Sequence, residues 1–143
     1  MMIGWNIFYP DEFSIDDVYE NAAFVYMIQF TNTNEYYFGV KQVYKALKDV
    51  SKLTQETRES NWLEYLSSSK SVKERIQAGE PFRKTILWMF PTLQQASNLE
   101  TALISIFGTH PLNINQAIIT KQRLKKDNGY QFSVLQRIMG DLS

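Results

Sequence analysis

A carboxylate on an apolar helix face is the first feature of this chain that points to chemistry. Helical spacing across residues 93–107 puts Glu100 in line with Leu93, Ala96, Leu103, Ile104 and Phe107, at offsets of three, four and seven. Desolvation disfavours the charged form of such a group unless a cation or a metal ion compensates. A salt bridge, or a rim position that reaches water, is the plain reading; a metal ligand is the chemical one. Arg75 is the second candidate. On a helix that buries Val72 and Ile76 it lies roughly 60° from the apolar stripe, with Lys70 and Lys73 further round, so its guanidinium is placed to enter a site beside the core. That group suits phosphate oxygens, although a surface arginine lying along an apolar edge has the same pattern. Tyr26 and Tyr37, eleven residues apart, form the third feature; with eight tyrosines in the chain, packing alone accounts for such a pair.

These side chains need elements to hold them. Ala22 to Phe30 (AAFVYMIQF) reads as a strand covered on both faces, Thr31 to Glu35 as a turn, and Tyr36 to Val40 as the second strand of a hairpin. Residues 42–60 contain no Gly or Pro and predict a helix plus a loop. A helix is expected from Ser69 to Ala78 with Gly79 as its stop, then a third strand from Lys84 to Phe90. Pro91 and Thr92 open a helix to Phe107, with Thr92-x-x-Gln95 matching a capping box and Gly108 ending it. A loop at Pro111 to Asn115, a basic stretch from Lys121 to Lys126 and a closing helix from Phe132 to Met139 follow. The first 21 residues read as an acidic, aromatic appendage in which Ser14 caps a short helix. The expected class is α+β: a small, mainly antiparallel three-stranded central sheet flanked by helices.

A length of 143 residues suits one domain, and 44% hydrophobic with 21% charged residues is the composition of a folded chain. With no cysteine, disulfides and thiolate zinc sites are excluded, and the single histidine, His110, leaves a metal to be held by carboxylate and water. No signal-like start is present, and no apolar run approaches the roughly 18 residues of a membrane span, so the cytosol is the expected compartment. Net charge is zero, yet residues 1–40 hold six acids and no Lys or Arg. All 15 basic residues therefore fall in 41–143, against nine acids, a balance of +6. Either that part holds an anionic partner while the acidic start stays clear of the site or covers it, or the asymmetry is accidental.

Phe24-Val25-Tyr26 followed by Tyr37-Phe38-Gly39 resembles the GIY…YIG motif that names a nuclease superfamily, with matching tyrosine spacing. The stretch Ser68 to Ile76 resembles the basic helix that follows it in that family, whose functional arginine falls at Arg75. The family's metal-binding glutamate matches Glu100, and its asparagine beyond that helix matches Asn113, with Asn115 in reserve. Asn61 to Lys70 (NWLEYLSSSK) further resembles the W…Y…SSK variant of GIY-YIG-like proteins of bacteriophages. The resemblance covers residues 22–116. Departures are Phe24 in place of the first glycine, replacement of both isoleucines, and about 28 inserted residues from Val40 to Ser67. Lys41 is the candidate for the lysine that often follows YIG.

The resemblance implies an appendage at 1–21, a nuclease domain at 22–120 with its insert at 40–67, and a basic stretch and helix at 121–143 packed on the same domain. It implies a metal-dependent DNA endonuclease of a phage or mobile element, acting in a bacterial host cell and related to homing endonucleases. In that scheme water attacks phosphorus, Tyr26 takes its proton with Tyr37 supporting or exchanging roles, and Arg75 stabilises charge on the phosphate. Glu100 is then the one protein ligand of Mg²⁺ or Mn²⁺, and Asn113 orients the loop or a bound water. A phenolate at pH 7 requires about 4 kcal/mol of help from nearby positive charge. DNA contacts fall to Lys41, Lys70, Lys73, Lys121, Arg123, Lys125 and Lys126. The alternative is a catalytically weak or inactive DNA-binding module on the same fold, and a protein partner or a second copy could dock through the amino-terminal segment.

Overall fold

The hairpin forms where aromatic and β-branched residues crowd. In a computed structural model that describes residues 4–117 and 126–143, β2 (Ala23–Phe30) and β3 (Tyr36–Gln42) pair antiparallel, Ala23 opposite Gln42 through Gln29 opposite Tyr36. The numbering counts β1 (Asn6–Ile7) as the first strand. On the other side of β2 lies β4 (Phe82–Phe90), antiparallel, with a register shift between Val25 and Tyr26, and β1 joins β4 in parallel. The order β1-β4-β2-β3 leaves β3 at an edge. The sheet thus has four strands where three were expected, because a two-residue strand is too short for alternation to reveal it.

Both faces are covered, which is why Lys84 to Phe90 are all buried. Ala23, Val25, Phe38 and Leu87 meet α2 (Leu93–Phe107) and α3 (Tyr130–Leu142). On the opposite face Phe24, Tyr26, Ile28 and Phe30 meet Trp62 and the Val72 of α1 (Lys70–Gln77). Thr92 caps α2 as the sequence predicts, its Oγ1 accepting from the Gln95 amide at 3.2 Å, and Ser69, expected as the first residue of α1, is instead its cap, Oγ accepting from the Val72 amide at 3.3 Å. Losing either cap costs about 1 kcal/mol.

Two expectations need correction. Residues 42–60 form no α-helix, but a 3₁₀ turn at Val50–Lys52 and isolated bridges of Tyr44 with Glu59 and of Asp49 with Thr92. Val43, Tyr44 and Leu47 are buried but the stripe stops there, and a helix without a continuing apolar face gains too little from packing. Residues 4–20 are also no appendage. Trp5 Nε1 donates to the Trp62 carbonyl at 2.8 Å, Val18 is fully buried, and the Tyr9 hydroxyl donates to Asp141 of α3 at 2.7 Å. The buried residues here occur singly among acids, so no periodicity betrays them. Among the described residues, no helix is long and apolar enough to cross a membrane.

Candidate active site

Gly39 has no side chain because Tyr26 lies across it. The two are opposite in register, and a Cβ on Gly39 would overlap the Tyr26 ring and hydroxyl. The ring therefore spans from β2 onto the edge strand, where Tyr37 and Tyr65 pack against it at centroid distances of 6.4 and 6.0 Å. Tyr26 is wholly buried and its hydroxyl has no partner in regular hydrogen-bond geometry. Burial, with Tyr65 and Tyr37 adding to it, holds its pKa well above the usual phenol value, and the Ser67 hydroxyl beside it opposes the shift only in part.

Strand alternation puts Tyr37 and Lys41 on one face of β3, two residues either side of Gly39. The Tyr37 hydroxyl lies 3.4 Å from Ser68 Oγ, just before α1. The Lys41 ammonium sits 4.1 Å from the centre of the Tyr65 ring, and loss of water lowers its pKa. Glu100 comes from α2, on the other face of the sheet, and reaches the same cavity around the edge of β3, past the residues 112–115 that pair with Tyr36 and Phe38. That cavity, about 380 Å³, is lined by Tyr37, Lys41, Tyr65, Ser68, Glu100 and Asn115 among others. Glu100 has no ion-pair partner among the described residues, and burial pushes its pKa up to about 7. Asn115 uses its side chain as a strand would: Nδ2 donates to the Phe38 carbonyl and Oδ1 accepts from the Phe38 amide, both at 2.9 Å. Asn113 lies behind it, its Oδ1 accepting from the Asn115 amide at 2.8 Å, so the reserve asparagine is the one at the cavity.

A family model described as "Putative endonuclease segE, GIY-YIG domain" matches residues 5–117. The chain belongs to the GIY-YIG nuclease family. No curated protein and no solved structure matches it. The match begins at Trp5, so the GIY-YIG domain here includes the amino-terminal strand that joins the sheet.

One residue of the GIY-YIG pattern stands away from the cavity. Arg75 donates from Nε and Nη2 to the two oxygens of Glu80, at 2.6 and 2.8 Å, and from Nη2 to Glu35 at 2.8 Å. Its guanidinium covers the Phe30 ring at 3.9 Å. The helix start at Ser68 and Ser69 addresses Tyr37, and Arg75, five residues beyond Lys70, is roughly 7 Å further along the axis. A helical wheel gave its angle correctly and is blind to that displacement. Lys70 and Lys73 are exposed on α1, with Lys70 facing Glu74 at 4.0 Å. Lys126 is exposed beside Gln95 and Asn98 of α2, while Lys121, Arg123 and Lys125 lie outside the described residues.

Tyr65, Ser68 and Lys84 were not singled out from the sequence, although the W…Y…SSK phrase contains the first two. Trp62 anchors that segment in the core, its Nε1 donating to Glu59 at 2.8 Å. Lys84, fully buried on β4, donates to the Leu63 and Tyr65 carbonyls at 3.0 Å each and faces the Trp5 ring at 4.4 Å. Desolvation lowers its pKa to about 8. It clamps the loop that presents Tyr65 to the cavity.

No group of three or more His, Asp or Glu side chains among the described residues could cage a metal. Glu100, a lone unpaired carboxylate facing open space with hydroxyls nearby, fits a hard ion that keeps most of its waters and takes one or two carboxylates. It does not fit zinc, which seeks several nitrogen or sulfur ligands.

Proposed function

We propose that this nuclease hydrolyses DNA phosphodiester bonds in the cavity beside β3, as a metal-dependent endonuclease with Mg²⁺ or Mn²⁺ held by Glu100. The observation that carries this reading is the unpaired, largely buried carboxylate of Glu100 in one cavity with Tyr37 and Lys41. Such a group is costly in a folded chain unless a cation arrives to match it. When bound there, the ion supplies Lewis-acid polarisation of a phosphate oxygen. Tyr37, the member of the pair open to the cavity, takes the proton of the attacking water as its phenolate, a charge that the Lys41 ammonium in the same cavity offsets. Tyr26, kept protonated by burial, supports the Tyr37 ring, which reverses the order of roles expected for the pair. Asn115 holds the backbone between Tyr37 and Gly39 so that both keep their places. The W…Y…SSK phrase supports a phage or mobile-element source.

Relaxation of supercoiled plasmid tests the proposal, with Mg²⁺, Mn²⁺ or EDTA and with wild type beside Glu100→Ala. Nicking by the wild type in Mg²⁺ and its loss in EDTA and in the variant are expected, with DNA binding and folding largely kept. A Glu100→Ala protein that nicks at the wild-type rate removes the metal assignment. The position of Arg75 favours a second reading, a GIY-YIG module that holds DNA with little or no cleavage. It requires salt-sensitive binding without metal dependence.

A further inference from the structure

We infer that Lys41, not Arg75, faces the scissile phosphate in this enzyme, and that Arg75 serves the fold. The inference rests on the nuclease reading above and names the residue that meets the developing charge. Arg75 is fully engaged: two carboxylates take up its fork and an aromatic ring covers its plane, and it lines no part of the cavity that holds Glu100. To reach a phosphate it would have to leave both Glu35 and Glu80, stranding two acids beside an anionic substrate.

Lys41 has the opposite surroundings. Its ammonium forms no ion pair among the described residues, Glu64 attracts it only from further off without offsetting the loss of water, and the Tyr65 ring that supports it carries no formal charge. It shares a strand face with Tyr37 and a cavity with Glu100, so the phenol, the carboxylate and the cation surround one space. In hydrolysis the water oxygen bonds to phosphorus as the bond to the leaving sugar oxygen breaks. Negative charge then gathers on the non-bridging oxygens and the leaving oxygen, and a positioned cation in a water-poor site stabilises it. A second groove opens from the same lysine, lined by Gln42, Lys45 and Asn61, and continues the path for the flanking phosphates.

The test uses the full chain and duplex DNA, comparing wild type with Lys41→Met, Lys41→Arg, Arg75→Lys and the triple variant Arg75→Met, Glu35→Gln, Glu80→Gln. The triple variant removes the ion-pair group as a unit, leaving no acid unmatched, and Arg75→Lys tests the fork if the triple does not fold. Nicking rate in Mg²⁺, melting temperature, and anisotropy-detected binding in Ca²⁺ across a salt series are measured. Lys41→Met is expected to nick at least about 100-fold more slowly at an unchanged melting temperature. Its log–log salt slope of binding should fall by about one. Lys41→Arg should regain part of the rate, and the folded Arg75 variants should stay within about threefold of wild type. Near-normal nicking by Lys41→Met, or an equal loss in a folded Arg75 variant, overturns the assignment. If the wild type never nicks, the nuclease reading has failed instead, and an unchanged salt slope in Lys41→Met then refutes the phosphate contact as well.

Discussion

Replacing Glu100 by Gln should make this protein more stable at neutral pH while destroying its activity. The amide keeps the size of the side chain and removes the charge. Burial raises the Glu100 pKa from 4.5 to about 7, so the folded chain holds this proton more tightly than the unfolded chain does. For a raised carboxyl the sign is fixed by linkage: the wild type loses stability as pH climbs from 4.5 towards 7, and the loss is complete above that range. A shift of this size corresponds to at most about 3 kcal/mol. The carboxyl is partly open to the cavity and Lys41 lines the same space, so about 1–2 kcal/mol is the working figure, or about 3–8 °C for a chain of this size. Thermal unfolding in EDTA at pH 5 and pH 8 measures it. The variant should melt close to the wild type at pH 5 and clearly higher at pH 8. Adding Mg²⁺ should raise the wild-type melting temperature and leave the variant unmoved. A variant less stable than wild type at pH 8, or a gain of equal size at both pH values, would mean that the carboxylate is already well matched inside the protein.

Tyr37→Phe should reduce nicking far more than Tyr26→Phe. Because the Tyr26 hydroxyl is buried without a regular partner, its removal should leave stability unchanged or raise it by about 1 kcal/mol in urea unfolding; a Tyr26→Phe protein that loses several kcal/mol would show a hydrogen bond at that hydroxyl. Gly39→Ala drives a methyl group into the Tyr26 ring, and a loss of about 1–3 kcal/mol with slower nicking is expected from the same measurements; unaltered activity would show that the ring position does not matter. Lys84 has a depressed pKa, from 10.5 to about 8, so the unfolded chain binds more protons between those values and the group makes stability rise with pH across that window. The urea midpoint of Lys84→Met should lack that rise between pH 8 and pH 9.5, and nicking should drop because Tyr65 loses its clamp.

Much of the scaffold could be read from the sequence because its signals are local. The apolar run at 23–30, the cap at Thr92 and the stop at Gly79 act within a few residues, and each stands where local chemistry placed it. The half-buried place of Glu100 on α2 was legible for the same reason, since a carboxylate in a helical apolar stripe is visible within two turns of sequence. The missed features depend on distant partners. Strand β1 exists through pairing with Thr85 and Ile86, some 79 residues away, and offers two residues of pattern. Arg75 reads as a site residue until Glu35, forty residues earlier, closes on it. Lys41 was one of several basic DNA contacts in the sequence reading. Its even spacing from Gly39 and Tyr37 was available there, but only the edge position of β3 shows that this face opens onto Glu100.

The pattern of matched and unmatched groups separates scaffold from site. Arg75 and Arg137 are tied to acids, and the buried Lys84 ammonium satisfies two carbonyls while facing an indole. Among the described residues, the buried side-chain polar atoms without a regular partner belong to Tyr26, Thr101 and Asn113. Tyr26 leans on Tyr37 and Asn113 braces Asn115, so two of the three stand directly behind side chains that line the cavity. Those two stand behind a cavity that also holds a carboxylate and a lysine, neither of them in an ion pair among the described residues. Buried polar groups left unmatched are paid for elsewhere in the fold, and they persist where a ligand completes them. On the proposed reading, an anionic substrate with its metal ion would bring both kinds of charge: oxygens for Lys41 and the phenols, and a cation for Glu100.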